Sequence, residues 1–492
     1  MPEPRRRGLR RLRGVAPGST GAPPAHAAVR TAKLAALPVG YAARRAAGMR
    51  RRALGRTAHE VELDIQTRTA QHMFEVLGEL KGCAAKLGQL LAIYELALPP
   101  ELGTPYRTAL GRLQDSAPAL LPRAVSAAMA DSLGEHWRSR FLEFDLRACA
   151  AASIGQVHRG VWRDRRPVAV KLMYPGVRES VRTDLDQLRR LAPLAAVLLP
   201  GADMRALTEA FADCVLEELD YPKEAATQRI FAAAFADDPD FAVPAIVHQH
   251  GDVIVSEWLD GIALPRILAS GAPAERSRVG LLVLRFLLSG FARTGLLYTD
   301  PHPGNFRVLR DGRLGVVDFG ACTPFPAEFP ALVGDLADAA YNGTPADLEA
   351  ALRRHGFVAA GTEFDREAFA AMIDPVRELL LPHTARMSTA WLREQVRRCT
   401  EPRLTNVCRQ LTSPPEYAPI GRTILAAIGL LCQLGTQGPL RDELLTPLPE
   451  LAAALERFHL GQDPLPRDPV TGASRSATPA PRTVCARCTS IS

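Results

Sequence analysis

Two carboxylates and a carboxamide stand close together in the second half of the chain. Asp300 and Asn305 belong to Tyr298-Thr299-Asp300-Pro301-His302-Pro303-Gly304-Asn305, and Asp318 follows in Val317-Asp318-Phe319-Gly320. Oxygen donors of this kind suit Mg²⁺ on a nucleotide's phosphates, because that ion keeps several waters and takes its other ligands from phosphate. Pro301, Pro303 and Gly304 fix the loop, and His302 between two prolines reads as a residue that orders it. Upstream, Val168-Ala169-Val170-Lys171 ends an apolar strand in a cation that can reach over a pocket. Such a lysine needs a carboxylate partner, and Glu217-Glu218-Leu219-Asp220 with Glu224 supplies candidates. Asp220 and Glu224 are four apart and share a helix face. The expectation is that Glu224 holds Lys171, and that Glu218 with Asp220 faces Lys86. Lys86 and Gln89 lie one turn apart on an N-terminal helix, where composition alone would leave them solvated. Glu257 closes an apolar strand just before Leu259-Asp260-Gly261, a short polar linker whose free backbone groups suit an adenine edge.

The elements that must position these residues change character along the chain. Residues 1–26 are rich in Pro, Gly and Arg and read as a disordered basic leader. Ala27 to Ala58 suits short amphipathic basic helices, and Glu60 to Leu98 has apolar residues at helical spacing until Pro99-Pro100 stops it. Ala109 to Phe144 reads as helical. Residues 153–162 and 167–172 then read as two strands, Asp184 to Leu199 and Met204 to Ala234 as helices, and Phe241 to Val247 and Val253 to Trp258 as strands. Ser277 to Gly295 is a buried helix, and Ala327 to about Phe458 is mostly helical. Residues 463–492 return to a Pro/Ser/Thr-rich tail. There is no internal repeat. The order helix, small sheet, helical body predicts an α+β chain with segregated layers.

The formal net charge of +7 conceals an asymmetry, since the fourteen Lys/Arg and one acid of residues 1–59 contribute +13 and leave −6 on the rest. The leader lacks the interleaved aromatics that base stacking would use, so no nucleic-acid partner is expected. It suits a solvated tail or a peripheral contact with anionic lipid, and an Arg-rich, acid-poor start is also the composition of an organelle address. No apolar segment follows the arginines as a secretory signal requires. The apolar runs Leu191 to Pro200 and Ile424 to Leu434 are about half the roughly 20 residues of a membrane span and read as buried helices. Nine scattered cysteines predict reduced intracellular thiols, with Cys485 and Cys488 as a lone C-x-x-C in the tail.

Taken together these stretches resemble the protein-kinase-like fold, and in particular the UbiB (AarF/ADCK) family of atypical kinases. Lys81-Gly82 through Lys86-Leu87-Gly88-Gln89 is similar to that family's K-x-G-Q motif, and Ala150-Ala151-Ala152-Ser153-Ile154-Gly155-Gln156-Val157-His158 to its Ala-rich loop. Glu218-Leu219-Asp220 resembles its E-x-D element, and Asp300 to Asn305 with Asp318-Phe319-Gly320 its catalytic and metal motifs. The resemblance implies a bilobal fold with a small β-sheet N-lobe (109–258), a helical C-lobe (259–462) and an N-terminal helical extension (27–108). It implies ATP and Mg²⁺ as cofactors. Lys171 would contact phosphates and pair with Glu224, Asp300 would take the catalytic position, and Asn305 with Asp318 would bind the metal. Ala150, Ala151, Ala152 and Ser153 would cover the phosphates, and Glu257 to Leu259 would line the hinge. Lys86, Gln89, Glu218 and Asp220 would restrain the site. Alanines where an ordinary kinase has glycines keep the backbone away from phosphate, which disfavours protein phosphorylation. The implied activity is that of an ATPase or lipid-directed kinase in isoprenoid quinone biosynthesis, with a lipid or quinone precursor and biosynthetic proteins as partners. A nucleotide-binding scaffold and a small-molecule phosphotransferase of the aminoglycoside or choline type are the alternatives.

Overall fold

The computed structural model describes residues 119–198, 204–400, 406–412 and 414–462, with isolated positions before them that include Val61, Cys83 and Lys86. The basic leader, Gln89, the tail with Cys485 and Cys488, and almost all of the helix expected over 60–98 lie outside the described residues.

A five-stranded antiparallel sheet has the order β1-β2-β3-β6-β5, formed by β1 (Phe141–Ala152), β2 (Gly155–Trp162), β3 (Pro167–Met173), β5 (Ile246–His250) and β6 (Val253–Glu257). Strand alternation explains its two faces. Val168, Val170 and Leu172 of β3 join Val253 and Val255 against Met129 and Trp137, beneath helix α1 (Pro122–Leu133). Lys171, between Val170 and Leu172, is turned to the other face. There Ile154, Met173 and Ile254 pack against α2 (Val177–Leu198) and α3 (Met204–Glu218), with Cys83 of the N-terminal segment fully buried among them.

Three expectations are corrected here. Residues 141–144 are not the end of a helix: α1 stops at Gly134, whose φ of +88° a side chain would resist, and β1 begins at Phe141. The Ala-rich segment is not a loop, because Ala150, Ala151 and Ala152 pair with Val157, Gln156 and Gly155 across a turn made by Ser153 and Ile154. Nor is Met204 to Ala234 one helix. It breaks between α3 and α4 (Tyr221–Ala234), where Asp220 accepts the Lys223 N–H as an N-cap and Pro222 fits the first turn.

A second sheet, β4-β10-β9-β7, joins Phe241–Ala242, Leu314–Val316 (β10), Phe306–Leu309 (β9) and Gly261–Ala263, while β8 (Leu296–Tyr298) pairs with β11 (Cys322–Pro324). Both lie on the buried helix α5 (Pro273–Thr294), which ends at Gly295 in the left-handed region, φ +69°. Phe231, Phe286, Tyr298, Phe306 and Phe319 form the aromatic centre of this core. Helices α6 (Phe329–Asn342), α7 (Arg366–Leu379), α8 (Thr389–Thr400), α9 (Ala418–Leu434) and α10 (Pro449–Gln462) build the rest of the body. The apolar run at Ile424 belongs to a longer element than its sequence suggests. With the preceding 3₁₀ turn it spans Pro415–Leu434, 20 residues of mean hydropathy 1.3, the one helix among the described residues long and apolar enough to cross a membrane. Its Ala427, Leu430 and Leu434 nevertheless belong to the core around α5.

Candidate active site

Backbone pairing brings the acidic residues together. Tyr298 of β8 lies opposite Cys322 of β11, and the Thr299 N–H continues the ladder to the Ala321 carbonyl at 3.0 Å, which sets the Asp300 loop beside the Asp318 loop. Phe306 of β9 lies opposite Val316 of β10, and Val317 N donates to Asn305 O at 3.0 Å. Asn305 and Asp318 therefore leave adjacent strands side by side. Asn305 donates its Nδ2 to the Asp300 carbonyl, 3.0 Å, so the carboxamide oxygen is the acceptor it retains. His302 accepts the Gly304 N–H at 3.1 Å and orders the turn.

Lys171 reaches this cluster from the sheet. Its Nζ donates to both oxygens of Glu224, at 2.7 and 2.9 Å, and to Asp318 Oδ2 at 3.0 Å. Burial alone would lower the Lys171 ammonium, but Asp318 and Glu224 outweigh it and hold the group well above its ordinary value. Glu224 is itself pushed up to about 7 by burial, against the pull of Lys171. Tyr221 lies under the ammonium, whose Nζ sits 5.3 Å from the ring centre.

Lys86 makes the matching contact on the other side. Its Nζ lies 2.5 Å from Glu218 Oε1 and 2.9 Å from Asp300 Oδ2, and the residue is only 2 % exposed. Burial opposes the charge and the two carboxylates more than restore it, so the ammonium is held well above its usual range. Asp300 is kept below the ordinary carboxylate range: burial raises it, and Lys86 outweighs burial. Glu218 is raised, mainly by burial. The pairing expected of Lys86 is thus half corrected. Glu218 faces it, but Asp220 is occupied capping α4, and Asp300 takes the second position.

The residues fit a divalent cation on charge as well as on ligand type. Two ammoniums, Lys86 and Lys171, serve four carboxylates, Glu218, Asp300, Glu224 and Asp318, which leaves an excess of two negative charges in one cleft when all are ionised. Asp300 and Asp318 keep 28 % and 34 % of their side chains open to solvent. Among the described residues no three His, Cys, Asp or Glu form a metal cage of their own.

At the hinge, the N–H groups of Glu257 and Trp258 are spent on the carbonyls of Ala245 and Pro167, both at 3.0 Å. The Glu257 carboxylate accepts from Ala245 N and Arg166. Leu259 follows at the edge of the cleft, where its side chain approaches Gly315. Two tyrosine hydroxyls also belong to this region, that of Tyr298, which opens the acidic stretch, and that of Tyr221, which sequence reasoning passed over. The Tyr221 hydroxyl is buried without a hydrogen-bond partner, the buried Tyr298 hydroxyl lies beside the Asn305 side chain, and Asp318 acts on both tyrosines electrostatically. A tyrosine beside an acidic motif is the only trace they leave in sequence.

A family model described as the ABC1 atypical kinase-like domain matches residues 112–348. The mitochondrial atypical kinase COQ8 of Saccharomyces cerevisiae is 35 % identical over 258 residues, 51 % of this chain and 50 % of that protein. The mitochondrial atypical kinase COQ8B of Rattus norvegicus is 31 % identical over 324 residues, 64 % of this chain and 59 % of that protein. The chain thus spans about half the length of the curated relatives it matches. A solved structure, described as the complex of Rv3197 with erythromycin from Mycobacterium tuberculosis, is 35 % identical with a TM-score of 0.59, covering 80 % of this chain and 100 % of that one. A kinase-like α+β fold, a lysine tied to a glutamate across its cleft, the match to the ABC1 atypical kinase-like domain and a solved relative 35 % identical over 80 % of this chain lead to one assignment: the chain belongs to the UbiB family of atypical kinases.

Proposed function

We propose that the protein binds ATP with Mg²⁺ and either hydrolyses it or transfers its phosphoryl group to a small lipid-like acceptor, in support of isoprenoid quinone biosynthesis. The observation that carries this reading is Lys171 Nζ bridging Glu224 at 2.7 Å and Asp318 at 3.0 Å, which fixes a cation at the head of a cleft with an excess of carboxylate oxygen. Bound nucleotide and metal would supply the transferable phosphoryl group and the charge that offsets it. Asp318 and Asn305 offer the metal oxygen ligands, Lys171 orients phosphate, and Asp300 accepts the proton of the attacking hydroxyl or water. The hinge and the paired strand Ala150 to Ala152 enclose the nucleotide, and the alanines hold backbone off the phosphates. The basic leader is the segment suited to an anionic membrane face.

Asp300 is a weaker base while its Oδ2 accepts a hydrogen bond from the Lys86 ammonium at 2.9 Å. That contact is also the observation that favours a second reading, an ATP-binding scaffold whose site binds without turning over. ADP release by the full-length protein, with and without anionic liposomes, separates the two. Turnover is expected in the wild type, with a loss of at least about a hundredfold in both Lys171→Ala and Asp318→Asn. Nucleotide binding without any ADP release favours the scaffold, and unchanged turnover in both variants overturns the assignment of these residues.

A further inference from the structure

Away from the cleft, and beyond the residues matched by the family model, three sulfur atoms converge in the helical body. Cys408 Sγ, in the 3₁₀ turn Val407–Gln410, lies 3.1 Å from Met372 Sδ on α7, and Cys399 Sγ, in the last turn of α8, lies 4.0 Å from the same atom. One side chain ties the two cysteine backbones together. Asn406 Nδ2 donates to the Cys399 carbonyl at 2.9 Å, and Asn406 Oδ1 accepts the Cys408 N–H at 3.0 Å. The second contact of that amide, with Arg398 O at 3.3 Å, holds the turn against the helix end.

The two thiols are not equivalent. Cys399 is exposed and Cys408 is half-buried, next to Val407 of the apolar cluster that includes Phe369 and Leu411. The neighbouring Cys408 thiol pulls the Cys399 thiol down to about 7, with Arg398 adding to the effect, and the same interaction pushes Cys408 up. An accessible thiolate with a protonated thiol at its side is the arrangement that attacks a disulfide and then resolves the product.

We propose that Cys399 and Cys408 form a redox-active dithiol, converted to an intramolecular disulfide by exchange with a low-molecular-weight disulfide. The Cys399 thiolate attacks one sulfur of that disulfide, whose S–S bond breaks and releases one small thiolate. Cys408 then gives its proton to solvent and attacks Cys399 sulfur, displacing the second small thiol. Two protein thiols are oxidised and one small disulfide is reduced to two thiols, with no other reactant. The new bond joins the end of α8 to the turn that follows.

The full chain, reduced and then incubated natively with oxidised glutathione, is blocked with N-ethylmaleimide and digested with trypsin without reductant. Cleavage after Arg398, Arg403 and Arg409 puts the cysteines on separate peptides, 399–403 and 404–409. These are expected as one linked species, lighter by two hydrogens than their sum. Cys408→Ser should strand the intermediate as 399–403 carrying one glutathione, and Asn406→Ala should slow the link several-fold. The same oxidation in guanidinium should also be several-fold slower, and this arm does not depend on any variant folding. Recovery of both peptides as maleimide adducts, an unmodified Cys399 in Cys408→Ser, or a link formed equally fast in the unfolded chain would overturn the proposal.

Discussion

At the residue scale the cleft is defined by shared cations. Removing Lys86 leaves Glu218 and the part-buried Asp300 beside each other with no positive charge between them, and because loss of one partner of a fully buried pair costs about 3–5 kcal/mol, the cost here lies at or below the lower end of that range. The sign of the accompanying pH dependence follows from the carboxylates. In the wild type Asp300 is held below its unfolded value, so its contribution is complete above that value and is lost only as pH falls through the folded one. In Lys86→Met burial loses its main opponent, so Asp300 rises above its unfolded value and Glu218, already raised, rises further. Their contribution is then present at low pH and lost as pH rises. The urea midpoint of Lys86→Met should therefore fall more steeply than that of the wild type between about pH 5 and about pH 8. Parallel slopes would show that the ion pair does not control the two acids.

At the scale of elements, β2 and β3 approach so closely at the Ala-rich hairpin that a Cβ on Gly155 would meet the Leu172 carbonyl oxygen and come within 3.0 Å of the Tyr221 hydroxyl. Gly155→Ala should lower stability by about 1–3 kcal/mol, since a backbone carbonyl cannot give way without parting the strands. Gly421, inside α9 with nothing near its added Cβ, gives the opposite sign: Gly421→Ala should stabilise by about 0.5–1 kcal/mol. Chemical unfolding of the two variants side by side measures both. Much of this architecture was legible in the residues. Lys171 at the end of V-A-V-K reads as a strand cation with Glu224 as its partner, and the structure places them 2.7 Å apart. Strand β1 is harder to see: Leu142, Phe144 and Leu146 alternate with Glu143, Asp145 and Arg147, but the apolar residues before them invite a helical period. The break at Asp220 was also written in the chain, as an N-cap acid followed by Pro222. The Lys86 contact with Asp300 spans 214 positions, and no local pattern encodes a pairing of that reach.

At the scale of the whole molecule, α9 decides whether the helical body closes on itself. Leu430 is 2 % exposed in the core around α5, and Leu431 and Cys432 belong to a second cluster with Met387 and Leu392, so this helix joins two cores. Ile424 on the same helix is 47 % exposed. Leu430→Ala should cost about 2–5 kcal/mol in chemical unfolding, whereas Ile424→Ser should stay within about 0.5 kcal/mol of the wild type. A neutral Leu430→Ala, together with loss of liposome flotation in Ile424→Ser, would make the helix a membrane element instead of a core one.

The lysine from the N-terminal segment that sits on Asp300 also sets a thermodynamic toll on everything that uses that carboxylate. A ligand that needs Asp300 free meets only the fraction of molecules in which Lys86 has left, so its apparent dissociation constant is the intrinsic one divided by that fraction. By reciprocity, a surface or partner protein that draws the N-terminal segment away tightens the ligand by the same factor that the ligand strengthens its own grip. Recruitment and substrate affinity thereby become two readings of one equilibrium.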